Sequence, residues 1–198
     1  MAGLRDTVWT IRVDLYRAAE ANASLKAFVR TLLLSPGFEY IFWMRIAAHF
    51  NRTMLGKCTL GLAARFMLKR CSLRTGIQIP FQTVIGEGLY MGHFGCIVVH
   101  PYARVGRNCN ISQDVTIGQT NRGPRRGYPV IGDNVYIGPG ARVVGGVHVG
   151  NNVAIGANSV VTHDVPDNAV VVGIPGRVIS HQGSADYVIY TDYARPPE

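Results

Sequence analysis

The 198-residue chain is short of acid: 12 Asp and Glu stand against 20 Lys and Arg, a formal charge of +8. Such a surplus raises nucleic acid as a partner. The basic residues, however, are spread through the first third and the group Arg122, Arg125 and Arg126, with neither a recognition-helix pattern nor an aromatic-studded sheet pattern. Nucleic acid is therefore set aside, and a polyanionic cofactor accounts for part of the charge. Cysteine is scarce too. Cys58, Cys71, Cys96 and Cys109 show no C-x-x-C spacing, and Cys96 and Cys109 read as packing residues or stack neighbours. Arg5, Asp6 and Arg12 interrupt the N-terminus, so no signal peptide is read and reduced thiols in a cytoplasmic protein are expected. A Gly-x-Ser-x-Gly elbow, a Walker loop and a metal-ligand pair are all missing, which argues against a serine hydrolase, an NTPase and a metalloenzyme.

What is plentiful is glycine, with 23 residues, and much of it keeps a period. Ile85-Gly86, Met91-Gly92, Ile97, Val105-Gly106, Ile111, Ile117-Gly118, Ile131-Gly132, Ile137-Gly138, Val143, Val149-Gly150, Ile155-Gly156 and Val161 return an aliphatic residue every six positions. Two extra residues precede Val105, and a longer interruption follows Gly118. A six-residue period marks a hexapeptide parallel β-helix. Each step builds one face of a triangular prism with the aliphatic residue inward, and Gly turns the corner where a Cβ would clash. Three steps close a coil, which puts Val143 above an aliphatic residue about eighteen positions earlier.

Residues 1–75 read as a helical domain, 76–179 as the β-helix with residues 119–130 extruded as a loop, and 180–198 as a tail. Leu4, Val8, Ile11, Leu15 and Ala18 predict a first helix ending near Asn22. A second runs from Ser24 to Leu34, where Ser35-Pro36-Gly37 stops it. A third, Phe38 to about Asn51, is rich in large apolar residues. It falls short of the roughly 20 needed for a span, and Glu39 and Arg45 interrupt it. It reads as packed against its neighbours or a sister subunit; Trp43, Arg52 and Lys57 keep a peripheral membrane contact open. A fourth covers Leu60 to Lys69. In the tail, Tyr187–Tyr190 predicts one short strand and Arg195–Glu198 a frayed end. Prisms of this kind are expected to pair as a trimer, or a dimer of trimers, with helices capping one end.

Of six histidines, His93 stands out. It lies inside the repeat, in Tyr90-Met91-Gly92-His93-Phe94-Gly95, with glycines on both sides leaving room for a ligand. An imidazole titrates near neutrality and can take a proton from an alcohol. His100 is a candidate supporting residue, His148 reads as exposed, and His49 as a core or interface residue.

The chain from about Asp14 to Val178 resembles the serine acetyltransferases of the left-handed β-helix superfamily. Gly92-His93-Phe94-Gly95-Cys96-Ile97-Val98-Val99 is similar to the family's Asp-His-Ala-Thr-Gly-aliphatic segment, and Val115-Thr116-Ile117-Gly118 to its Ser-Val-Thr-Leu-Gly strand. Ile155–Val161 and Gly173-Ile174-Pro175-Gly176-Arg177-Val178 resemble its acetyl-CoA end, and Pro36-Gly37-Phe38 with Arg45-Ile46 its helical motifs. The resemblance implies a mainly β fold, a left-handed parallel β-helix behind an N-terminal helical domain, with acetyl-CoA as acyl donor and His93 as general base. It places the cofactor at Gly118, Gln119, Thr120, Pro139, Arg142, Ala157 and Arg177. It places a backbone N–H near Gly118, or on an adjacent strand, at the oxyanion.

The departures fall on the acceptor side. Gly92 stands where the family has an Asp before the His, Asn22 where a helical-domain Asp partners it, Gln78 for an Asp at the foot of the first coil, and Tyr128 for a His after the basic loop. An ammonium needs a carboxylate partner when desolvated, and none of these supplies one. Asn22 is kept as the residue orienting His93, and Gln78, Gly92, Arg126 and Tyr128 as the acceptor site. The pattern is similar to serine-acetyltransferase-like enzymes of polysaccharide biosynthesis, so the leading expectation is O-acetylation of a sugar or polysaccharide precursor. A serine acetyltransferase with a variant site and a non-catalytic scaffold are the alternatives.

Overall fold

The computed structural model describes residues 3–194. Five helices come first: α1 (Leu4–Ala18), α2 (Leu25–Leu34), α3 (Pro36–Phe50), α4 (Met54–Cys58) and α5 (Leu60–Thr75). The first ends earlier than its apolar spacing predicts, because Glu20 and Ala21 take left-handed backbone (φ 53° and 66°) and reverse the chain. Ser35-Pro36 starts α3 rather than merely stopping α2. The Ser35 hydroxyl accepts the Phe38 N–H at 3.4 Å and Pro36 fills the first turn, where no N–H is needed. The Thr53 hydroxyl caps α4, a turn the periodicity did not signal. The fourth predicted helix extends past Lys69 to Thr75, where Gly76 at φ 71° closes it. Buried Phe38, Tyr40, Ile41, Met44 and Ala47 make α3 the core helix of this end, packed by α1, α2 and α5.

From Ile77 the chain coils as a left-handed parallel β-helix. Its first face carries β1 (Val84–Ile85), β3 (Arg104–Val105), β6 (Val130–Ile131) and β9 (His148–Val149). The second carries β2 (Val98–Val99), β5 (Thr116–Gly118), β8 (Arg142–Val144) and β11 (Val160–Val161). The third carries β4 (Asn110–Ile111), β7 (Tyr136–Ile137), β10 (Ala154–Ile155), β12 (Val170–Val172) and β13 (Arg177–Ser180). Inward residues stack in register, as in Ile111, Ile137, Ile155 and Val171 on the third face, each nearly inaccessible. This is the repeat's physical meaning, since every six-residue step adds a buried side chain to one continuous core. Val161 lies over Val143, eighteen positions on. Val143 itself lies over Ile117, twenty-six positions earlier, because the extruded loop lengthens that coil.

At the corner between the first and third faces, Asn108, Asn134, Asn152 and Asn168 all adopt left-handed backbone (φ 55–59°). Their carboxamides join in a ladder, donating in turn at 3.0, 2.9 and 3.2 Å. Asn tolerates this conformation better than branched residues do.

Two buried polar nodes weld the helices to the prism. Asp14, fully buried, accepts from Arg45 Nε at 2.9 Å and from the Leu89 N–H at 2.9 Å, while Arg45 donates to the Ile85 and Gly86 carbonyls at 2.7 and 2.6 Å. Burial pushes the Asp14 carboxyl up, opposed by Arg45 and the Leu89 N–H. Arg17, also buried, donates to Gly88 O, to Asn110 Oδ1 at 2.9 Å and to Ile189 O at 3.1 Å; burial lowers its pKa. The tail makes no strand at Tyr187–Tyr190. The strand that does form is β13, antiparallel to β12. The tail then returns along the third face. Tyr187 stacks on Tyr136 and Tyr193 donates to Asn108 Oδ1 at 2.6 Å, so the tail straps the prism back to α1. The expected frayed end, 195–198, lies outside the described residues.

Candidate active site

His93 sits where the chain turns from the third face to the second. Tyr90 still bridges Asn110 on the third face and Val98 begins β2 on the second, so residues 91–97 make the corner. The turn is held from beneath: Met91 is buried, and Gly37 at the start of α3 lies so close that a Cβ there would sit 2.1 Å from the Met91 carbonyl oxygen. Gly95 (φ 120°) and Cys96 (φ 51°) complete it. Cys96 is exposed, not a packing residue as its place in the repeat suggested; Cys109 is buried, and burial drives its thiol up to about 12. His93 stands exposed with open space around Gly95, and no hydrogen bond or ion pair holds its ring among the described residues. A Cβ at position 92 would lie 2.9 Å from the Tyr90 hydroxyl, so a side chain there would have to displace the Tyr90 ring.

The coils above continue this corner as a ladder. The Asp114 N–H donates to Gly95 O at 2.8 Å, Gly140 N–H to Gln113 O at 3.0 Å, and Asn158 N–H to Pro139 O at 2.8 Å. Pro139 and Ala157 therefore stack over the His93 turn, and Arg177, opposite Val172, stands at the far end of the third face. Arg142 turns toward the same corner, donating to Gly140 O at 2.8 Å and pairing with Asp114 at 3.2 Å. Gln113, one coil above His93, carries a buried Oε1 with no hydrogen-bond partner among the described residues.

Other expected site residues lie elsewhere. Gly118, Gln119 and Thr120 follow β5 to the far edge of the second face, where the loop begins. Thr120 and Gly127 exchange backbone hydrogen bonds at 3.1 and 3.0 Å, closing the loop's neck, and Arg125 anchors it to Asp164 at 2.9 Å. Arg126 is exposed there. Tyr128 stacks on His100 at 4.6 Å between ring centres, with Tyr102 edge-on at 5.1 Å. Gln78 bridges Val98 and opens onto the second face. One chain thus carries His93 along one edge of the second face and Gly118, Thr120, Arg126 and Tyr128 along the other. No single chain brings the two sets together.

Asn22 lies in the α1–α2 turn, where its side chain accepts the Ser24 N–H at 3.0 Å. It makes no bond to His93. It lines a cavity of about 480 Å³ with Glu20, Lys26, Arg30, Thr31 and Ser35. None of residues 91–97 lines it. Glu20, Lys26 and Arg30 give it both signs of charge, which the sequence patterns did not single out. His49 is no part of the site, since its Nδ1 lies 3.0 Å from Thr7 Oγ1 between α1 and α3.

Comparison with known proteins agrees with this architecture. Residues 128–163 match the family model "Bacterial transferase hexapeptide (six repeats)". The chain is 36% identical over 174 residues to the serine acetyltransferase of Synechococcus elongatus, covering 88% of this chain and 69% of that one. It superposes on Neisseria gonorrhoeae serine acetyltransferase, solved in complex with serine, with a TM-score of 0.71 and 29% identity, covering 89% of this chain and 70% of the other. It also superposes on the Brucella abortus serine acetyltransferase solved in complex with coenzyme A, with a TM-score of 0.72 and 30% identity, covering 91% and 70%.

Proposed function

Because the chain belongs to the serine acetyltransferase family of hexapeptide acyltransferases, enzymes that move an acetyl group from acetyl-CoA to a hydroxyl, we propose that it O-acetylates L-serine through a rebuilt acceptor site. The observation that carries this reading is the likeness over 88% of the chain to a serine acetyltransferase, with a related structure solved in complex with serine, to which the cavity lined by Asn22 adds charged groups. The carboxylates expected of such a site are absent at positions 22, 78 and 92, yet Glu20 offers one for an ammonium, and Lys26 and Arg30 offer cations for a carboxylate. The saccharide acceptor that the departures suggested is thereby the weaker reading.

In the proposed reaction His93 takes the hydroxyl proton as the oxygen attacks the thioester carbonyl, and the imidazolium returns that proton to the departing thiolate. The pantetheine arm follows the corner ladder past Pro139 and Ala157. Arg177 takes a phosphate; Arg142, already paired with Asp114, contributes less. Gly118, Thr120, Arg126 and Tyr128 reach His93 only from a neighbouring copy, so the working unit is a trimer with sites between prisms. The oxyanion N–H near Gly118 then also comes from the neighbour.

Free-thiol release from acetyl-CoA is the test. L-Serine should drive it, His93→Ala should lower turnover by about 10² or more, and Glu20→Gln should raise the KM for serine. An unchanged rate in His93→Ala removes that residue from the mechanism. One observation favours a saccharide acceptor instead: His100, Tyr102 and Tyr128 form an exposed aromatic platform suited to a pyranose face. Thiol release with sugars and none with serine would establish that reading.

A further inference from the structure

The helix α5 is apolar on two opposite sides. Gly61, Ala64, Leu68, Cys71 and Thr75, spaced three and four apart, form the buried side. Leu62, Phe66 and Leu73, at i, i+4 and i+11, form a stripe on the reverse, exposed by 59, 68 and 75%. Beside it α4 and the α5 start expose Met54, Leu55 and Leu60 to a similar degree. Six large apolar side chains so open are unusual on a free surface and mark something that covers them.

The charge around them selects the occupant. Residues 1–75 hold twelve Lys and Arg against four Asp and Glu, whereas residues 76–198 hold eight of each, so the whole net charge lies in the helical end. From Tyr40 to Gly86 there are seven basic residues and not one acid. Lys57, Lys69 and Arg70 flank the apolar stripe, and none has an acidic partner among the described residues. A second copy docking by the same face would set these cations against one another. A surface of anionic lipid head groups over an apolar layer complements both features. No helix among the described residues is long and apolar enough to cross a membrane, so contact would be from the side. We propose that the α4–α5 face is a peripheral docking surface for anionic membranes, with Leu62 and Phe66 entering the head-group boundary and Lys57 and Arg70 on the phosphates, while Leu73 and Lys69 turn toward the groove they line with Gln78 and His100. The prediction from the sequence had put any such contact on α3, but that helix is spent in the core.

Co-sedimentation of the full-length protein with phosphatidylcholine vesicles, and with the same vesicles containing phosphatidylglycerol, tests this. Binding is expected to the anionic vesicles alone and to weaken with salt. Leu62→Ser with Phe66→Ser, and separately Lys57→Glu with Arg70→Glu, should each lower partitioning at least about tenfold. The apolar pair should leave thermal unfolding and acetyl transfer unchanged, since neither residue touches the site. Absence of sedimentation with anionic vesicles, equal binding to neutral ones, or variants that bind as well as the parent would overturn the proposal. So would light scattering showing that Leu62→Ser with Phe66→Ser splits a larger oligomer in the absence of lipid, which would make a second copy the occupant.

Discussion

The two halves of this molecule are stabilised by different means. In the prism each buried side chain rests on its counterpart one coil away, and acid balances base. In the helical end burial depends on contacts between segments far apart in sequence, the charge is one-sided, and large apolar residues remain uncovered. The comparison shows that a repeat settles its own core locally, while the cap depends on what it is attached to, namely the prism through Asp14, Arg17 and Arg45, and the partner proposed for α5.

The strongest way to break the contrast is at the weld. Arg45→Ala leaves the fully buried Asp14 carboxylate without its cation and two coil carbonyls without a donor; a loss of about 3–5 kcal/mol is expected in urea unfolding. If the helices and prism were independent, the loss would be small. Within the prism, Ile137→Ala removes one step of the third-face stack and should cost about 2–5 kcal/mol. Leu62→Ala on the exposed stripe should stay within about 0.5 kcal/mol, and equal effects would erase the distinction between the two faces. Between these two lies the corner ladder. Asn134→Ala keeps a left-handed residue without the carboxamide and should cost about 1–2 kcal/mol, recovered in part by Asn134→Gly. Alkylation sharpens the comparison without altering stability, because each half has one exposed and one buried thiol. Cys58 and Cys96 should react in the native protein. Cys71, pushed up to about 11, and Cys109, up to about 12, should react only after unfolding, as peptide mass spectrometry would report.

Much of the candidate site's frame was legible in the chain: the turn that carries His93 and the extruded loop follow from where the repeat holds and where it breaks, and the stacking of Pro139 and Ala157 over that turn follows from its period. Glu20 was not legible, since it joins the cavity only because the α1–α2 turn reverses on left-handed backbone. Gln113 looked like an ordinary repeat position; the burial of its Oε1, unpartnered among the described residues, emerges only when neighbouring coils are stacked. Asn22 matched by spacing, yet its carboxamide is committed to the Ser24 N–H of its own turn.

The sequence by itself determined the prism, its inward residues and the corner that bears His93, because a six-residue period repeats one local rule and each inward position is set by its neighbours in the chain. Only the tertiary structure decided that α3 is core and α5 is two-faced, that the tail is tied to α1 through Arg17, and that His93 and Tyr128 stand on opposite edges of one face. Those outcomes depend on pairings between residues tens to more than a hundred positions apart, as in Arg17 with Ile189, and such pairings leave no trace in local spacing.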